Sequence, residues 1–307
     1  MNCHLSTFSK VNSGRCTIYD RWNMRIFGSG LCVLLLLGIA KANKPRLGLC
    51  VTGQLSRLEL WSKIFNVIVP NAPSYAIDVL FVLDAEQHSA VNSEAALNGM
   101  PVALLDKATI QSHMTRYCPE CHVMFDFAPQ PKSPPAMEPY VHDMGKYKPY
   151  EIDSRRKRAI LNARNMHTWT RCYQNFYDRS LQTGLQYDLY MRVRDDSFAF
   201  WPFHISLPMW NNTISILRSC GWGGVNDKQA ILDKRFAYLY FVKPLQNFYM
   251  SYEELTSHLP ITNPEKILRG SLDHDNVKVR LVPNEEMPFG VVRYRLDGSI
   301  CVADMES

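Results

Sequence analysis

YDLYMRVRDD, residues 187–196, runs from alternating apolar side chains directly into two adjacent carboxylates, Asp195 and Asp196. Tyr187 to Val193 has the short, apolar, β-favouring character of a buried strand. Other segments repeat the pattern. RLGLCVT (46–52) reads as a strand running into Gly53-Gln54, IDVLFVL (77–83) as a second strand ending at Asp84, and HVMFDF (122–127) as a third. Between them lie stretches with helical periodicity. Leu58 to Val69 places Leu60, Trp61, Ile64, Phe65 and Ile68 on one face and stops at Pro70, and Val102 to Tyr117 reads as a short strand and then a helix. The longest pattern starts near Asp153 or Ser154 and ends at Gly184. It carries Ala159, Ile160, Ala163, Met166, Trp169, Tyr173, Phe176 and Tyr177 along one stripe. Strands alternating with helices predict an α/β fold with a mostly parallel central sheet.

The rest of the body is read more coarsely. Ala128 to Tyr150 holds six prolines and reads as a long loop, of the kind that forms lids. Gly221 to Lys228 (GWGGVNDK) reads as a glycine-rich loop followed by helical turns. Pro244 to Thr256 and Pro264 to Leu272 read as helices, and Val277 to Val282 and Val291 to Leu296 as late strands. No linker interrupts residues 46–307, so residues 43–307 are expected to form a single domain. Apolar residues at 46% and charged residues at 21% leave ample material for its core and exclude a disordered chain.

The start of the chain reads as an address. Ile26 to Ala40 (IFGSGLCVLLLLGIA) is uncharged, follows Arg21 and Arg25, and precedes Lys41, Lys44 and Arg46. As a helix it would span roughly 22 Å, short of a bilayer core. That length suits the apolar region of a signal peptide, and Ala40-Lys41-Ala42 has the small-x-small form of a cleavage site. Translation from Met24 would give a compact signal peptide. The rival is an uncleaved signal anchor with residues 1–25 in the cytosol. Either places the body in the secretory pathway, in the Golgi or endoplasmic reticulum lumen or, after cleavage, outside the cell. Membrane contact would then run only through an uncleaved residue 1–42 segment. Most of the net charge of +5 belongs to that segment, where five basic residues face one acid. The near-neutral body argues against nucleic-acid binding.

Six of the nine cysteines lie beyond Ala42, an even number that invites disulfides in an oxidising lumen. Cys118-Pro-Glu-Cys121 lacks the second ligand pair that zinc requires, so it too reads as disulfide chemistry. Asn211-Asn212-Thr213 is an N-glycosylation sequon. The run Arg155 to Arg158 reads either as a solvated face or as a clamp for acidic groups. GxSxG, HExxH and GxxxxGK[ST] motifs are absent, which argues against several hydrolase classes and against a P-loop kinase or sulfotransferase.

Ligands of open α/β sheets bind beyond the carboxyl ends of the strands. Thr52-Gly53-Gln54, Asp84 and Asp195-Asp196 fall at such ends. Adjacent carboxylates repel unless a cation relieves them, and a hard divalent cation would do so. Asn226-Asp227 reads either as an N-cap or as an orienting amide and general base.

Three segments, CVTGQLSR (50–57), YDLYMRVRDD (187–196) and GWGGVNDKQAI (221–231), together resemble secretory-pathway glycosyltransferase-like proteins of the GT-A fold. The resemblance covers most of residues 46–301, including EKILRGSLDHDNVKVRLV (265–282). It implies a single GT-A-like, Rossmann-related domain that moves a sugar from a nucleoside diphosphate donor to a hydroxyl on a glycan, protein or lipid. It implies that Asp195 and Asp196 hold Mn²⁺ or Mg²⁺ and that Thr52, Gly53, Gln54, Arg57 and Asp84 line the donor pocket. Beside the resemblance, the GGVND loop offers Asp227, with Asn226, as base; Trp222 reads either as a sugar-stacking ring or as core, and His274 either as a contact to metal or phosphate or as a surface residue. The motif departs from a strict Asp-x-Asp: the sequence is Arg-Asp-Asp-Ser. Arg192 or Arg194 could therefore neutralise the diphosphate in place of a metal. A non-catalytic protein of the same fold that binds glycan or nucleotide sugar is the alternative.

Overall fold

A computed structural model describes residues 44–84, 105–129, 135, 137–147, 150–218, 223–257, 261–294 and 300–303. The residue 1–42 leader, Trp222, Cys220 and the short strand expected near Val102 lie outside them. Lys44 to Ser307 makes one compact unit.

The strands are β1 (Arg46–Gln54), β2 (Ala76–Asp84), β3 (His122–Asp126), β4 (Leu189–Arg194), β5 (Ser197–Ala199), β6 (Ile214–Leu217), β7 (Gln229–Asp233), β8 (Val279–Val282), β9 (Phe289–Tyr294) and β10 (Ile300–Ala303). The helices are α1 (Trp61–Lys63), α2 (Val69–Asn71), α3 (Lys107–Tyr117), α4 (Glu138–Tyr147), α5 (Ile152–Thr183), α6 (Leu207–Trp210), α7 (Ala237–Phe241), α8 (Lys243–Met250), α9 (Tyr252–Thr256) and α10 (Pro264–His274). Seven strands form the main sheet in the order β3-β2-β1-β4-β7-β6-β8, and β10-β9-β5 form a small second sheet. In the main sheet β7 runs antiparallel to both neighbours, and the other pairings are parallel. The expected mostly parallel α/β sheet is therefore present.

Burial on both faces explains why β1, β2 and β4 read as continuous apolar runs. Leu47, Leu49, Val51, Leu189, Met191 and Val193 face one core, while Cys50 and Tyr190 face the other together with α5. The α5 stripe of Ala159, Ala163, Met166, Trp169, Cys172 and Phe176 packs into that second core. A disulfide joins Cys50 of β1 to Cys172 of α5, and another closes Cys118 on Cys121. Near the start of β2, away from the strand ends where ligands bind, the buried Asp78 carboxylate accepts from Arg46 at 2.7 Å, Arg179 at 2.5 Å and the Tyr187 hydroxyl at 2.7 Å.

Gly184 ends α5 with φ 69°, its N–H bonded to the Ser180 carbonyl. A Cβ there would meet nothing within 4 Å, so only backbone strain opposes a side chain. Gly184→Ala is expected to lower stability by about 1 kcal/mol, read as a shifted urea midpoint at constant slope.

Several expectations need correction. The proline-rich stretch contains α4, whose Pro139 sits in the first turn, where a missing N–H breaks no helical bond. The loop before Gln229 leads into a strand, not helical turns. Pro70 does not end the helical path of 61–71, which passes through a π-turn at Ile64–Ile68 and continues to Asn71. Other expectations hold: the helix expected within Pro244–Thr256 is α8, followed after Ser251 by α9. The two late strands are β8 and β9, with β10 in addition, and α5 starts at Ile152, beside its expected start.

Candidate active site

The carboxyl ends of β1 and β4 lie side by side, with Thr52 opposite Arg194 and Cys50 opposite Arg192. Because β7 is antiparallel, its start, not its end, reaches the same edge: Arg192 pairs with Ala230 and Val193 with Gln229. One edge of the sheet thereby gathers Thr52 to Arg57, Arg192 to Asp196 and Asn226 to Gln229.

Asp195 is fully buried and braces the turn after β1. Its Oδ2 accepts the Gln54 N–H at 2.8 Å and Arg57 Nε at 2.9 Å, and its Oδ1 accepts Arg57 Nη2 at 3.2 Å. Its own N–H donates to the Thr52 carbonyl at 2.8 Å. Gly53, at φ 138°, leaves no room for a side chain: a Cβ would lie 2.2 Å from Asp195 Cγ. Beneath the turn the buried Lys63 ammonium donates to the carbonyls of Glu59 at 2.6 Å, Asp195 at 2.9 Å and Ser197 at 2.5 Å. Burial pulls the Lys63 pKa below its ordinary value. Burial, and then Asp196 alongside, push the Asp195 carboxyl up, while Arg57, Arg194 and the Gln54 N–H oppose the rise. Asp196 accepts Arg194 Nη2 at 2.9 Å and lies 3.7 Å from Arg57 Nη1.

These contacts bear on the expected cation. Both Asp195 oxygens are occupied by protein donors, and Asp196 faces two guanidinium groups. Among the described residues no three His, Cys, Asp or Glu side chains stand together as a metal ligand set. The donors present do not fit a paired-carboxylate Mn²⁺ site, and arginine charge stands where the cation was expected.

Behind this turn lies a second charged layer. Arg192 is completely buried, stacks over Trp169 at 4.5 Å, and donates through Nη1 to the Asp227 carbonyl and, at 3.4 Å, to the Tyr240 hydroxyl. Among the described residues its Nε and Nη2 have no hydrogen-bond partner; nor do Thr52 Oγ1, Trp169 Nε1, Asp227 Oδ1 and Gln229 Oε1. Buried polar atoms are almost always satisfied, so a concentration of such donors and acceptors at one sheet edge points to internal water or a ligand as their partner. Asp227 is 2% exposed, receives Asn165 Nδ2 at 3.1 Å, and lies 4.0 Å from Arg194.

No protein-family model and no curated protein matches this chain.

The sequence-expected residues converge in part. Thr52, Gly53, Gln54, Arg57, Arg192, Arg194, Asp195, Asp196, Asn226 and Asp227 all belong to the one edge. Asp84 is buried at the end of β2, opposite Gln54. The Asn226 side chain accepts the Lys228 N–H at 2.8 Å and shapes the loop, and Asn165 Nδ2 donates to the Asp227 carboxylate. Neither Asn226 nor Asp227 caps a helix, since β7 follows. His274 is exposed in the last turn of α10, at the opposite end of that helix from Glu265, its residue near the site. Arg155 donates to the Val141 carbonyl, Arg156 pairs with Glu138, and Arg158 stacks on Tyr150. Sequence reading missed Asn165 and Glu265.

Proposed function

We propose that this chain transfers a sugar from a nucleoside diphosphate donor to a hydroxyl acceptor, with arginine in place of a divalent cation at the diphosphate. The reading rests on one observation: buried Arg192, with two guanidinium nitrogens unpaired among the described residues, and Arg194 stand toward the carboxyl end of β4 beside an Asp227 oxygen that also lacks a hydrogen-bond donor there. A mostly parallel sheet with such an edge agrees with the resemblance to GT-A proteins, and guanidinium groups bind phosphate oxygens well. Asp227, oriented by Asn165, takes the acceptor proton as the acceptor oxygen bonds to the sugar carbon. The bond from that carbon to the diphosphate breaks, and its electron pair leaves with the phosphate, stabilised by arginine. Two disulfides and an exposed Asn211 sequon support an oxidising, secretory compartment.

Thermal unfolding of the purified chain against UDP, GDP, ADP and CDP, each with and without Mn²⁺, tests the proposal. One nucleotide is expected to stabilise the protein by about 2.7 kcal/mol at a hundredfold excess over Kd. The shift should persist without Mn²⁺ and be lost in Arg194→Gln. If no nucleotide shifts the transition, the donor site is refuted. Asp195, with both oxygens already taken, favours the second reading, a non-catalytic nucleotide-sugar binder, over a metal-dependent enzyme. A nucleotide shift without turnover of any nucleotide sugar would select that second reading.

A further inference from the structure

The helical path of residues 61–71 presents two different faces. One is spent on the fold: Ser62 Oγ accepts the Ala199 N–H at 3.1 Å, Asn66 Nδ2 donates to the Ala199 carbonyl at 2.7 Å, and the Lys63 ammonium sits under Asp195. Those bonds fix the rotation of the helix and turn Trp61 and Phe65 outward, where they stay 46% and 44% exposed.

The exposed rings are ordered. Trp61 and Phe65 lie parallel within 7°, their centroids 5.8 Å apart. His113 and Tyr117, one turn apart on α3, lie within 23° of each other at 6.5 Å. The two pairs meet steeply: Trp61 and His113 at 58° and 4.6 Å, Trp61 and Tyr117 at 76° and 6.1 Å, Phe65 and Tyr117 at 68° and 4.9 Å. Together they form a corner with two aromatic walls. Its rim is polar. Arg116 lies over Tyr117 at 5.2 Å, and Gln111, Ser112 and Thr115 are exposed, whereas the aliphatic Ile110 and Met114 of α3 are buried.

We infer that this corner is a carbohydrate-binding site that takes one or two pyranose rings of a glycan. The π face of an aromatic ring is negative and attracts the polarised C–H groups on one face of a pyranose. The hydroxyls around the sugar need donors and acceptors, which the rim supplies. Two walls meeting at 58° and 76° suit a sugar ring that stacks on one and offers its edge to the other. Size argues against a protein partner or a second copy: the exposed ring area is on the order of 300 Å², against roughly 800 Å² per partner in a stable interface. A bilayer-binding helix would show a broad apolar stripe, and α3 exposes no aliphatic side chain larger than alanine. The inference requires neither sugar transfer nor nucleotide binding. One face of the helix braces the Asp195 turn, and another holds the glycan.

Titration of the full chain with chitotriose, cellotriose, mannotriose and trigalacturonic acid, followed by tryptophan fluorescence and by calorimetry, tests the site. One of these sugars is expected to bind with a Kd at or below about 1 mM and to change the tryptophan emission. Trp61→Phe keeps a ring and should retain most of the affinity. Trp61→Leu keeps apolar bulk without a π face and should weaken binding about tenfold or more. Tyr117→Leu should do the same from the other wall, and it decides the matter should Trp61→Leu fail to fold. Stabilisation by a nucleoside diphosphate should be unchanged in each variant, so loss of this site and loss of the donor site are separate results. Absence of binding by every sugar at about 10 mM would overturn the inference, as would equal affinity in the parent and both leucine variants. Self-association of the parent, or its binding to phosphatidylserine–phosphatidylcholine vesicles, abolished by Trp61→Leu, would also overturn it and assign the rings to a second copy or to a membrane.

Discussion

Asp195→Ala is expected to lower the unfolding free energy by about 3–5 kcal/mol, as breaking a buried ion pair from one side does. The carboxylate receives three protein hydrogen bonds, and its removal strands the Gln54 N–H and the Arg57 guanidinium together. Arg57 can turn partly toward Asp196, already 3.7 Å away, which places the loss toward the lower end. A cavity opens as well, since Gly53 packs directly against the lost atoms. Asp195→Asn keeps an acceptor for the Gln54 N–H and should fall well short of alanine. Chemical denaturation of both variants checks this. A loss below about 1 kcal/mol for Asp195→Ala would mean that the carboxylate is not the brace described, and would return it to the pool of ligand-binding groups. For the same reason Asp196, not Asp195, is the residue to substitute when nucleotide binding is tested, because Asp195→Ala confounds binding with folding.

The second large effect concerns the Cys50–Cys172 bridge, which closes a separation of 122 residues. Loop-closure entropy for that length gives about 5 kcal/mol, and measured removals of native bridges span about 2–5 kcal/mol. Cys50→Ala with Cys172→Ala should therefore cost several kcal/mol. Both positions are wholly buried where α5 packs on β1, and small apolar residues fill them without a stranded polar group. A loss under about 1 kcal/mol, measured by urea unfolding of the oxidised parent and the double variant, would show that the packing of α5 alone fixes this contact.

The sequence made the parallel half of the sheet legible because that half is buried on both faces. An apolar run such as IDVLFVL has no other good use, and the candidate-site residues Thr52 to Arg57 and Arg192 to Asp196 lie at the ends of such runs. The antiparallel part was harder to read. QAILD holds only three apolar residues after a glycine-rich loop, and a run that short fits a strand or a helical turn equally well. Reading it as helix concealed the reversal that brings Asp227 beside Arg194. Asn165 stands between Ala163 and Met166 on a helix with a clear apolar stripe, and a polar residue at that spacing was the available hint. Glu265 follows Asn-Pro at a helix start, where a carboxylate is ordinarily explained by the helix dipole. Only the packing of Gly224 against its backbone reveals that this turn is buried against the loop that bears Asp227.

The reversed β7 also has a consequence for synthesis. By the time the ribosome has delivered Arg194, the strands β1 to β4 and the helix α5 have all been made, and Cys50 can already meet Cys172. The outer edge of β4 stays without its partner until Gln229 to Asp233 emerge. At 5–20 residues per second that interval lasts roughly 2–7 s. An apolar strand with open hydrogen-bonding groups is a template for wrong pairing during such a pause. The nascent chain is therefore most exposed to misassembly, and most in need of a chaperone, between these two points of its translation.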